Sequence, residues 1–270
     1  MKVCFIAGTL GRGGAERQLL YMLQALQSEQ ISARVLCLTR GEVYAKEIEQ
    51  LGIEVEWIGS SQLRFRRLLT IINNVRKKRA DILQSAHFYT NIYAALAGKV
   101  LKIPSIGAIR NDLTFELASN GFYGTSQLKL PEYLIANSSY AIERTLSQGV
   151  SPQKIDLLKN VVKVCMPGEK KPDKVEKPLS ILFAGRLSEE KRPEVFVDLA
   201  ARLFREFPKS KLHFELAGDG PLRKQIESYV VQCGLSKQDI TFIGDQADMG
   251  KVYERTDILV LTSQHEGTPN

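Results

Sequence analysis

The sequence lacks the features that would place the protein in a membrane or in an oxidising compartment. No apolar run approaches the roughly 18 residues that a membrane-spanning helix needs. The first such run, Val3–Ala7, is too short for a secretory signal peptide and leads directly into a glycine-rich loop. The chain has only four cysteines, none of them in a Cys-x-x-Cys pair. We therefore expect buried thiols, neither disulfides nor a metal site, and a cytoplasmic protein.

Acidic residues are scarce in the first part of the chain. Residues 1–175 hold 24 Lys and Arg against 15 Asp and Glu, whereas residues 176–270 hold 13 against 15. The basic first part allows an anionic partner, which could be a membrane surface, a phosphorylated acceptor or nucleic acid. Residues 63–79 concentrate this charge on one predicted amphipathic helix. Its predicted inner residues are Phe65, Leu68, Leu69, Ile72 and Val75, and its predicted outer residues are Arg66, Arg67, Lys77 and Lys78.

Two interpretations of that helix stay open. It is either a solvated helix whose basic side chains extend into water, or a helix that rests on an anionic lipid surface at the inner face of the membrane. Aromatic residues are not interleaved with its charges, so nucleic acid is not a predicted partner.

Short apolar runs alternate with helical patterns along the whole chain. Strands are predicted at residues 3–7, 33–39, 53–58, 81–85, 104–110, 133–137 and 155–158, and again at 180–184, 212–217, 240–243 and 258–261. This alternation predicts an α/β protein with two Rossmann-like, doubly wound parallel-sheet domains. Residues 166–178 interrupt it with three prolines, one glycine and seven charges. We therefore predict a domain at 1–165, a linker at 166–178 and a partial, incomplete domain at 179–270.

The stretch Gly185 to Lys191 follows the first strand of the second domain and precedes a helix that opens near Pro193. Free backbone N–H groups and the helix dipole attract anions at such a place. Arg186 and Lys191 would suit a diphosphate. The alternative is a surface loop whose cations pair only with Glu189 and Glu190.

The loop after the first strand matches a dinucleotide fingerprint only in part. Gly11-Arg12-Gly13 supplies the first two glycines, but Glu16 stands at the third position, and the second strand ends at Thr39-Arg40 without an acidic residue. Bound NAD is not predicted, and NADP through Arg40 is left open. Gly13-Gly14 before a helix would let a phosphate or sugar approach closely, or would form a tight turn without a ligand.

Polar residues follow two further strands of the first domain. His87 could accept a proton from a hydroxyl, hydrogen-bond a sugar, or merely cap the adjoining helix. Arg110 and Asn111 end the next strand at the same edge of the sheet. In the second domain, Glu266 follows the last strand, where a carboxylate could hydrogen-bond vicinal hydroxyls.

These pieces together resemble the retaining glycosyltransferases of the group 1, or family 4, type, whose GT-B architecture has two facing Rossmann-like domains. The matching segments stand in the family's order and span essentially the whole chain. They are Gly13-Gly14-Ala15-Glu16-Arg17, Ala136-Asn137-Ser138, Gly149-Val150, Lys154-Ile155, Phe183-Ala184-Gly185-Arg186, Glu190-Lys191, Leu216-Ala217-Gly218-Asp219-Gly220-Pro221, Phe242-Ile243-Gly244 and Ser263 to Pro269.

The resemblance implies a nucleotide-sugar donor held mainly by the second domain and an acceptor held by the first. Arg186 and Lys191 would neutralise the donor diphosphate without a metal ion or other cofactor. Glu266 would contact the donor sugar, and His87 would sit near the reaction centre. The implied donor-binding residues are Gly13, Gly14, Gly185, Arg186, Lys191, Gly218, Ile243 and Glu266; those implied on the acceptor side are Glu16, Arg110 and Asn111. Retention by front-face attack would fit the absence of a candidate nucleophile.

Two departures from the family's pattern qualify the resemblance. Asn160-Val161-Val162 replaces the usual Asn-Gly-Val, and the second glutamate of the family's Glu–seven residues–Glu motif would fall at position 274, beyond Asn270. We expect a C-terminally truncated chain that binds nucleotide weakly and is inactive as it stands. The alternatives are a non-catalytic nucleotide-sugar-binding protein and a nucleotide-sugar epimerase of the same fold.

Overall fold

A seven-stranded, entirely parallel sheet organises the first part of the chain. The computed structural model describes residues 1–162, 177–246 and 248–264, which form two compact units, 1–162 and 177–264. The strands of unit 1 are β1 (Lys2–Ala7), β2 (Ser32–Cys37), β3 (Glu54–Trp57), β4 (Ile82–Ser85), β5 (Ser105–Ile109), β6 (Tyr133–Ala136) and β7 (Ile155–Leu157). Their order is β3-β2-β1-β4-β5-β6-β7. The strand order reverses between β1 and β4, which is where doubly wound sheets bind ligands.

Helices cover both faces of this sheet. They are α1 (Gly14–Ser28), α2 (Val43–Gln50), α3 (Arg64–Lys77), α4 (Asn91–Leu101), α5 (Leu113–Ser119), α6 (Gly124–Lys129) and α7 (Ser139–Ser147). Alternate residues of β1 enter two separate hydrophobic clusters: Val3 and Phe5 pack on the side of α1 and α2, and Cys4 and Ile6 on the side of α3 and α4. Burial on both faces is why β1 is a continuous apolar run rather than an alternating one.

Unit 2 has a four-stranded parallel sheet within its described residues. The strands β8 (Leu179–Ala184), β9 (Leu212–Ala217), β10 (Ile240–Gly244) and β11 (Ile258–Val260) are ordered β10-β9-β8-β11, with helices α8 (Pro193–Glu206), α9 (Arg223–Gln232) and α10 (Met249–Glu254). Phe196 lies at the centre of its core, 5.7 Å from the ring of Phe183 and 5.5 Å from that of Phe214. The predicted α/β class with two parallel sheets is confirmed. The predicted linker lies outside the described residues except for Lys177 and Pro178, so the domain boundary stays a prediction.

The structure differs from the sequence analysis at three helices of unit 1. Phe65 and Leu69 of α3, predicted to face inward, are 69% and 42% exposed, and the buried apolar residues of this helix are Ile71, Ile72 and Val75. A 14-residue helix is about 21 Å long, whereas the four residues of β4 span about 13 Å, so the first turns of α3 extend past the core. The helices α5 and α6 were not predicted.

The prediction of buried thiols holds for Cys4 and Cys37, whereas Cys233 is only partly buried. Cys4 and Cys37 are buried free thiols, and burial raises the pKa of Cys4 to about 11. Cys233 is also free, and Cys165 lies outside the described residues. None of the described helices is long and apolar enough to cross a bilayer. In the same residues, no three His, Cys, Asp or Glu side chains are grouped to hold a metal ion.

Candidate functional site

Backbone hydrogen bonds join the loops that follow β8 and β9 in unit 2. Gly185 donates its N–H to the carbonyl of Ala217 (2.9 Å), and Leu187 donates to that of Asp219 (3.0 Å). Leu222, just before α9, donates to the carbonyl of Leu187 (3.0 Å). The side chain of Leu187 is fully buried beneath this junction. The two loops therefore form one rigid surface at the carboxyl edge of the sheet.

Two glycines make this close contact between loops feasible. A Cβ atom on Gly218 would lie 2.0 Å from the carbonyl oxygen of Gly185, and its φ of +126° is in the region that favours glycine. A Cβ on Gly220 would lie 2.4 Å from the carbonyl oxygen of Leu187. The sequence singled out Gly218 through its motif. Gly220 belongs to the same Gly-Asp-Gly-Pro segment but was not assigned a role.

A third loop, after β11, is bound to the same surface. The hydroxyl of Thr262 donates to the carbonyls of Lys191 (2.7 Å) and Arg192 (2.9 Å), and Gln264 N–H donates to that of Glu190 (2.9 Å). Arg192 has a left-handed φ of +52°, which is uncommon for a residue with a side chain. Thr262 therefore holds the turn that leads into α8 at Pro193. Sequence reasoning missed Thr262 because its partners are about 70 positions away.

This surface presents the predicted cations. Arg186 is exposed and forms an ion pair with neither Glu189 nor Glu190, both of which are described. For Arg186, the alternative in which the cations of this loop pair only with Glu189 and Glu190 is therefore not what the structure shows. The aliphatic part of Lys191 packs beside Gly185, with its Cδ 3.8 Å from the position of a Cβ on that glycine.

Ile243 lies at the carboxyl end of β10, beside the loop of Gly218. The Gly218 N–H donates to the carbonyl of Gly244 (2.8 Å), which follows Ile243 directly. The last described residue of the β11 loop is Gln264, so the predicted site residue Glu266 lies outside the described residues. Except for Glu266, the structure places every predicted donor-binding residue of unit 2 at one edge of its sheet.

In unit 1, His87 and Glu16 form a buried pair at the carboxyl edge. The Gly8 N–H donates to His87 Nδ1 (3.1 Å), and His87 Nε2 lies 3.1 Å from Glu16 Oε1. Because Nδ1 accepts a hydrogen bond from an amide, the ring proton of the neutral imidazole is on Nε2 and is donated to Glu16. Both ring nitrogens are therefore engaged. His87 also stands at the N-cap position of a one-turn 3₁₀ helix, Phe88–Thr90.

The side chain of Glu16 folds back onto the glycine loop. Its Oε1 also accepts a hydrogen bond from the Thr9 hydroxyl, and a Cβ on Gly13 would lie 2.2 Å from its Oε2. Burial raises the pKa of this carboxyl, but the hydrogen bonds from His87 and Thr9, and from the backbone of Glu16, outweigh burial and hold the pKa below its usual value. An ionised carboxylate thus occupies the amino end of α1, where a dinucleotide-binding loop would leave room for a phosphate.

Tyr89 packs against His87 and Gly8 of the same loop region. Its ring stacks on His87 with 5.3 Å between centroids, and its hydroxyl lies 1.8 Å from where a Cβ on Gly8 would be. Burial and the nearby charge of Glu16 raise the pKa of Tyr89 above its usual range. The ring can lie against the loop because position 8 is a glycine; any side chain there would clash with it. The sequence offered no signal for Tyr89 beyond its nearness to His87.

The far end of the glycine loop is held by Glu42. The Leu10 N–H and the Thr39 hydroxyl both donate to its carboxylate. The guanidinium of the neighbouring Arg40 stacks over the ring of Trp57, 4.5 Å from its centroid. This stacking position gives no support to the NADP alternative.

Arg110 and Asn111 follow β5 at the same edge of the sheet. Burial lowers the pKa of Arg110. The side chain of Asn111 accepts a hydrogen bond from the Asp112 N–H (2.9 Å), and Asp112 in turn caps α5. Within α5, burial raises the pKa of Glu116 to about 7. Asn111 thus shapes the start of α5, a helix that the sequence did not predict.

A contact between distant segments holds the part of the chain that departs from the family's Asn-Gly-Val. The side-chain amide of Gln18 in α1 makes two 2.8 Å hydrogen bonds with the backbone of Val161, one to its N–H and one to its carbonyl. Gln18 thereby pairs with the chain as a neighbouring strand would. The segment Asn160-Val161-Val162 is held against α1 although it lacks the family's usual glycine.

Comparisons with known proteins identify the family and the fold. The family model described as "Glycosyltransferase Family 4" matches residues 12–164, and that described as "Glycosyl transferases group 1" matches residues 168–270. A GalNAc-alpha-(1->4)-GalNAc-alpha-(1->3)-diNAcBac-PP-undecaprenol alpha-1,4-N-acetyl-D-galactosaminyltransferase of Campylobacter jejuni is 27% identical over 100% of this chain and 75% of its own length.

Two solved structures show the same fold. The lipopolysaccharide outer core galactosyltransferase WaaB, in its apo form, superposes with a TM-score of 0.71 at 21% identity, over 100% of this chain and 76% of the other. The Anabaena protein HepE, in complex with UDP and glucose, gives a TM-score of 0.79 at 17% identity, over 97% of this chain and 74% of the other. At these identities the similarity establishes the architecture.

Proposed function

Since the chain belongs to glycosyltransferase family 4, we propose that it transfers a sugar from a nucleotide-sugar donor to a lipid-linked or cell-surface glycan. The relative from Campylobacter jejuni is named for an undecaprenol-diphosphate-linked acceptor, and HepE was solved with UDP and glucose. These names support the two substrate classes. An acceptor of this kind would be met at the cytoplasmic face of the membrane.

The observation that carries the donor assignment is the surface formed by the three loops of unit 2. Backbone hydrogen bonds and Thr262 hold the turn from Gly185 to Arg192, and Arg186 projects from it without a partner among the described residues. Negative charge develops on the leaving diphosphate as its bond to the sugar breaks. Arg186 and Lys191 would stabilise that charge from a position that needs no reorganisation. We assign no metal ion or cofactor to this step.

We further propose that the transfer retains the anomeric configuration. The acceptor oxygen would bond to the anomeric carbon on the face that the diphosphate leaves, and the hydroxyl proton would pass to a departing phosphate oxygen. Glu266, which lies outside the described residues, would hydrogen-bond the donor sugar. Identification of the product anomer by NMR tests this: an inverted anomer would exclude front-face transfer.

In unit 1 we assign acceptor-side roles to Glu16, Arg110 and Asn111, and a supporting role to His87. Both nitrogens of His87 are engaged, so it acts by fixing Gly8 and Glu16 rather than by removing a proton. Gly13 and Gly14 would approach the substrate through their backbone. The cation of Arg110 at the carboxyl edge suits a phosphorylated acceptor.

The donor site is tested by binding, without any need for turnover. We expect one class of UDP-, GDP- or ADP-sugar to raise the melting temperature of the protein. Arg186→Ala should weaken that nucleotide sugar's affinity about 10- to 100-fold, because a charge-assisted hydrogen bond contributes about 1.5–3 kcal/mol. The control is Arg205→Ala, an exposed arginine at the other end of α8, which should leave affinity unchanged.

Product analysis with the same protein and nucleotide sugars distinguishes the glycosyltransferase from the two alternative functions. Transfer to a lipid extract supports the proposal, and the measurement also shows whether the 270-residue chain is active. Rearrangement of the donor without an acceptor would indicate an epimerase, and binding without any reaction would indicate a nucleotide-sugar-binding protein. No stabilisation by any nucleotide sugar would refute the donor site.

A further inference from the structure

The first half of α3 exposes apolar side chains that the core does not use. Leu63, at the N-cap position, is 59% exposed, and Phe65 and Leu69 are exposed one helical turn apart. Residues at i and i+4 lie on the same face of a helix, so Phe65 and Leu69 are neighbours. Single exposed apolar residues are ordinary, but three within seven positions concentrate apolar area at the amino end of α3.

Cations surround this surface. The helix has five basic residues, Arg64, Arg66, Arg67, Arg76 and Lys77, and no acidic residue. Of the described contacts, no ion pair engages Arg64, Arg66, Arg76 or Lys77. Arg76 follows Phe65 by three turns and therefore lies on the same line of the helix as Phe65 and Leu69.

One contact extends the surface beyond the helix. The guanidinium of Arg64 lies 4.5 Å from the centre of the Tyr123 ring, and Tyr123 is itself 46% exposed. An arginine stacked on an exposed tyrosine combines a fixed cation with an amphipathic ring, as found at membrane–water interfaces. We call Leu63, Arg64, Phe65, Arg66, Leu69 and Tyr123 the α3 patch.

The α3 patch lies on the side of unit 1 that carries the candidate site. A helix that follows a parallel strand begins at the carboxyl edge of the sheet, so the amino end of α3 is at the edge of the glycine loop and His87. A partner bound by the patch would thus lie beside the acceptor-side residues. Shallowly inserted apolar side chains flanked by cations fit the headgroup region of an anionic bilayer.

We propose that the α3 patch docks unit 1 on an anionic phospholipid bilayer, with Leu63, Phe65 and Leu69 inserted and the arginines on lipid phosphates. This inference extends the proposed function, since a lipid-linked acceptor would reach the chain from such a surface. It commits to a bilayer because the patch has positive charge and apolar area together, which a soluble polyanion would not need.

The test is co-sedimentation of the whole chain with phosphatidylcholine vesicles, with and without phosphatidylglycerol. We expect binding only to the anionic vesicles, and weaker binding at high salt. The double variant Phe65→Ser/Leu69→Ser should lower the partition coefficient about tenfold, and Arg66→Glu roughly 5- to 30-fold. The substituted side chains are exposed and lie outside the core. A circular dichroism spectrum verifies that each variant keeps its secondary structure.

Two exposed residues of unit 2 provide matched controls. Val231→Ser removes an apolar side chain that is 72% exposed on α9, and Lys237→Glu reverses an exposed charge. Both should bind vesicles as the parent chain does. A parent chain that ignores anionic vesicles, or patch variants that bind as well as the parent, would overturn the inference.

Nucleotide-sugar thermal shifts separate this inference from the proposed function. The patch variants should keep the parent chain's response to nucleotide sugars. If the chain binds anionic vesicles through the α3 patch but no nucleotide sugar stabilises it, the proposed function is refuted and the docking surface stands. If nucleotide sugars bind and vesicles do not, the docking surface fails alone.

Discussion

Each unit places a loop that contains glycine after the first strand of its parallel sheet, but the two units stabilise that loop by different means. In unit 1, side chains hold the loop: Glu16, His87, Glu42 and the hydroxyl of Thr9. In unit 2, the backbone of one loop is hydrogen-bonded to the backbone of the next, with Gly218 at the point of contact. A loop held by carboxylates responds to pH, whereas a loop held by backbone contacts is sensitive to any added Cβ atom.

The largest effect is expected for Gly218→Ala in unit 2. The new Cβ would meet backbone atoms of Gly185 and Arg186, and the alanine would have to adopt a φ of +126°, so we expect a loss of at least about 3 kcal/mol of stability in this unit. Hydrogen exchange of the unit 2 amides would measure it. Gly234→Ala is the matched control, because Gly234 has a φ of +76° but open space around it, and should cost only about 1 kcal/mol.

The corresponding break in unit 1 is Glu16→Ala. It leaves the buried Nε2–H of His87 and the hydroxyl of Thr9 without their acceptor, which should cost about 2 kcal/mol. The only tryptophan, Trp57, lies in unit 1, so fluorescence during denaturation reports this unit. Glu16→Gln keeps an oxygen acceptor and should recover most of the loss. Equal destabilisation by both substitutions would mean that the hydrogen bonds are not what stabilises the loop.

The pH dependence of the Glu16 pair has a defined sign. Its pKa is lower in the folded protein than in the unfolded chain, so its contribution is complete above the unfolded pKa, near 4.5, and is lost as pH falls through the folded pKa. We expect unit 1 of Glu16→Gln to lose less stability than the parent chain between neutral pH and acid. A parallel loss in both proteins would contradict the assignment.

Glu116 should behave in the opposite sense. Burial raises its pKa to about 7, so the folded state favours the protonated form and stability falls as pH rises from the unfolded pKa toward 7. At pH 8, Glu116→Gln should stabilise unit 1 by about 1–3 kcal/mol. At pH 4 it should have little effect. Stabilisation of equal size at both pH values would show that ionisation is not the cause.

The smallest effect is expected for Gly13→Ala. Its φ of −151° suits any residue, and the new Cβ would meet only the movable end of the Glu16 side chain. We expect a cost of about 1 kcal/mol, because the carboxylate must leave its partners. In a Glu16→Ala background the same substitution should cost almost nothing. An additive double variant would show that Gly13 is needed for another reason.

The strands were predictable because each is a short apolar run in the sequence. The larger helices were predictable because apolar residues recur along each of them with helical periodicity. The prediction of α3 was right in extent and wrong for Phe65 and Leu69, because periodicity does not tell how far a helix extends beyond the strands that it covers. The seven-residue α5 and six-residue α6 carry too little periodicity to be recognised.

The sequence by itself determined the two parallel sheets and the glycine loops that follow β1 and β8, since apolar runs and glycines act over a few neighbouring positions. Only the tertiary structure decided what fills those loops. His87 meets Glu16 across 71 positions because β4 pairs with β1, and Thr262 meets Lys191 because β11 pairs with β8. Hydrogen-bond partners so far apart depend on strand order. In unit 2 Arg186 is exposed, whereas in unit 1 the carboxylate of Glu16 occupies the corresponding loop.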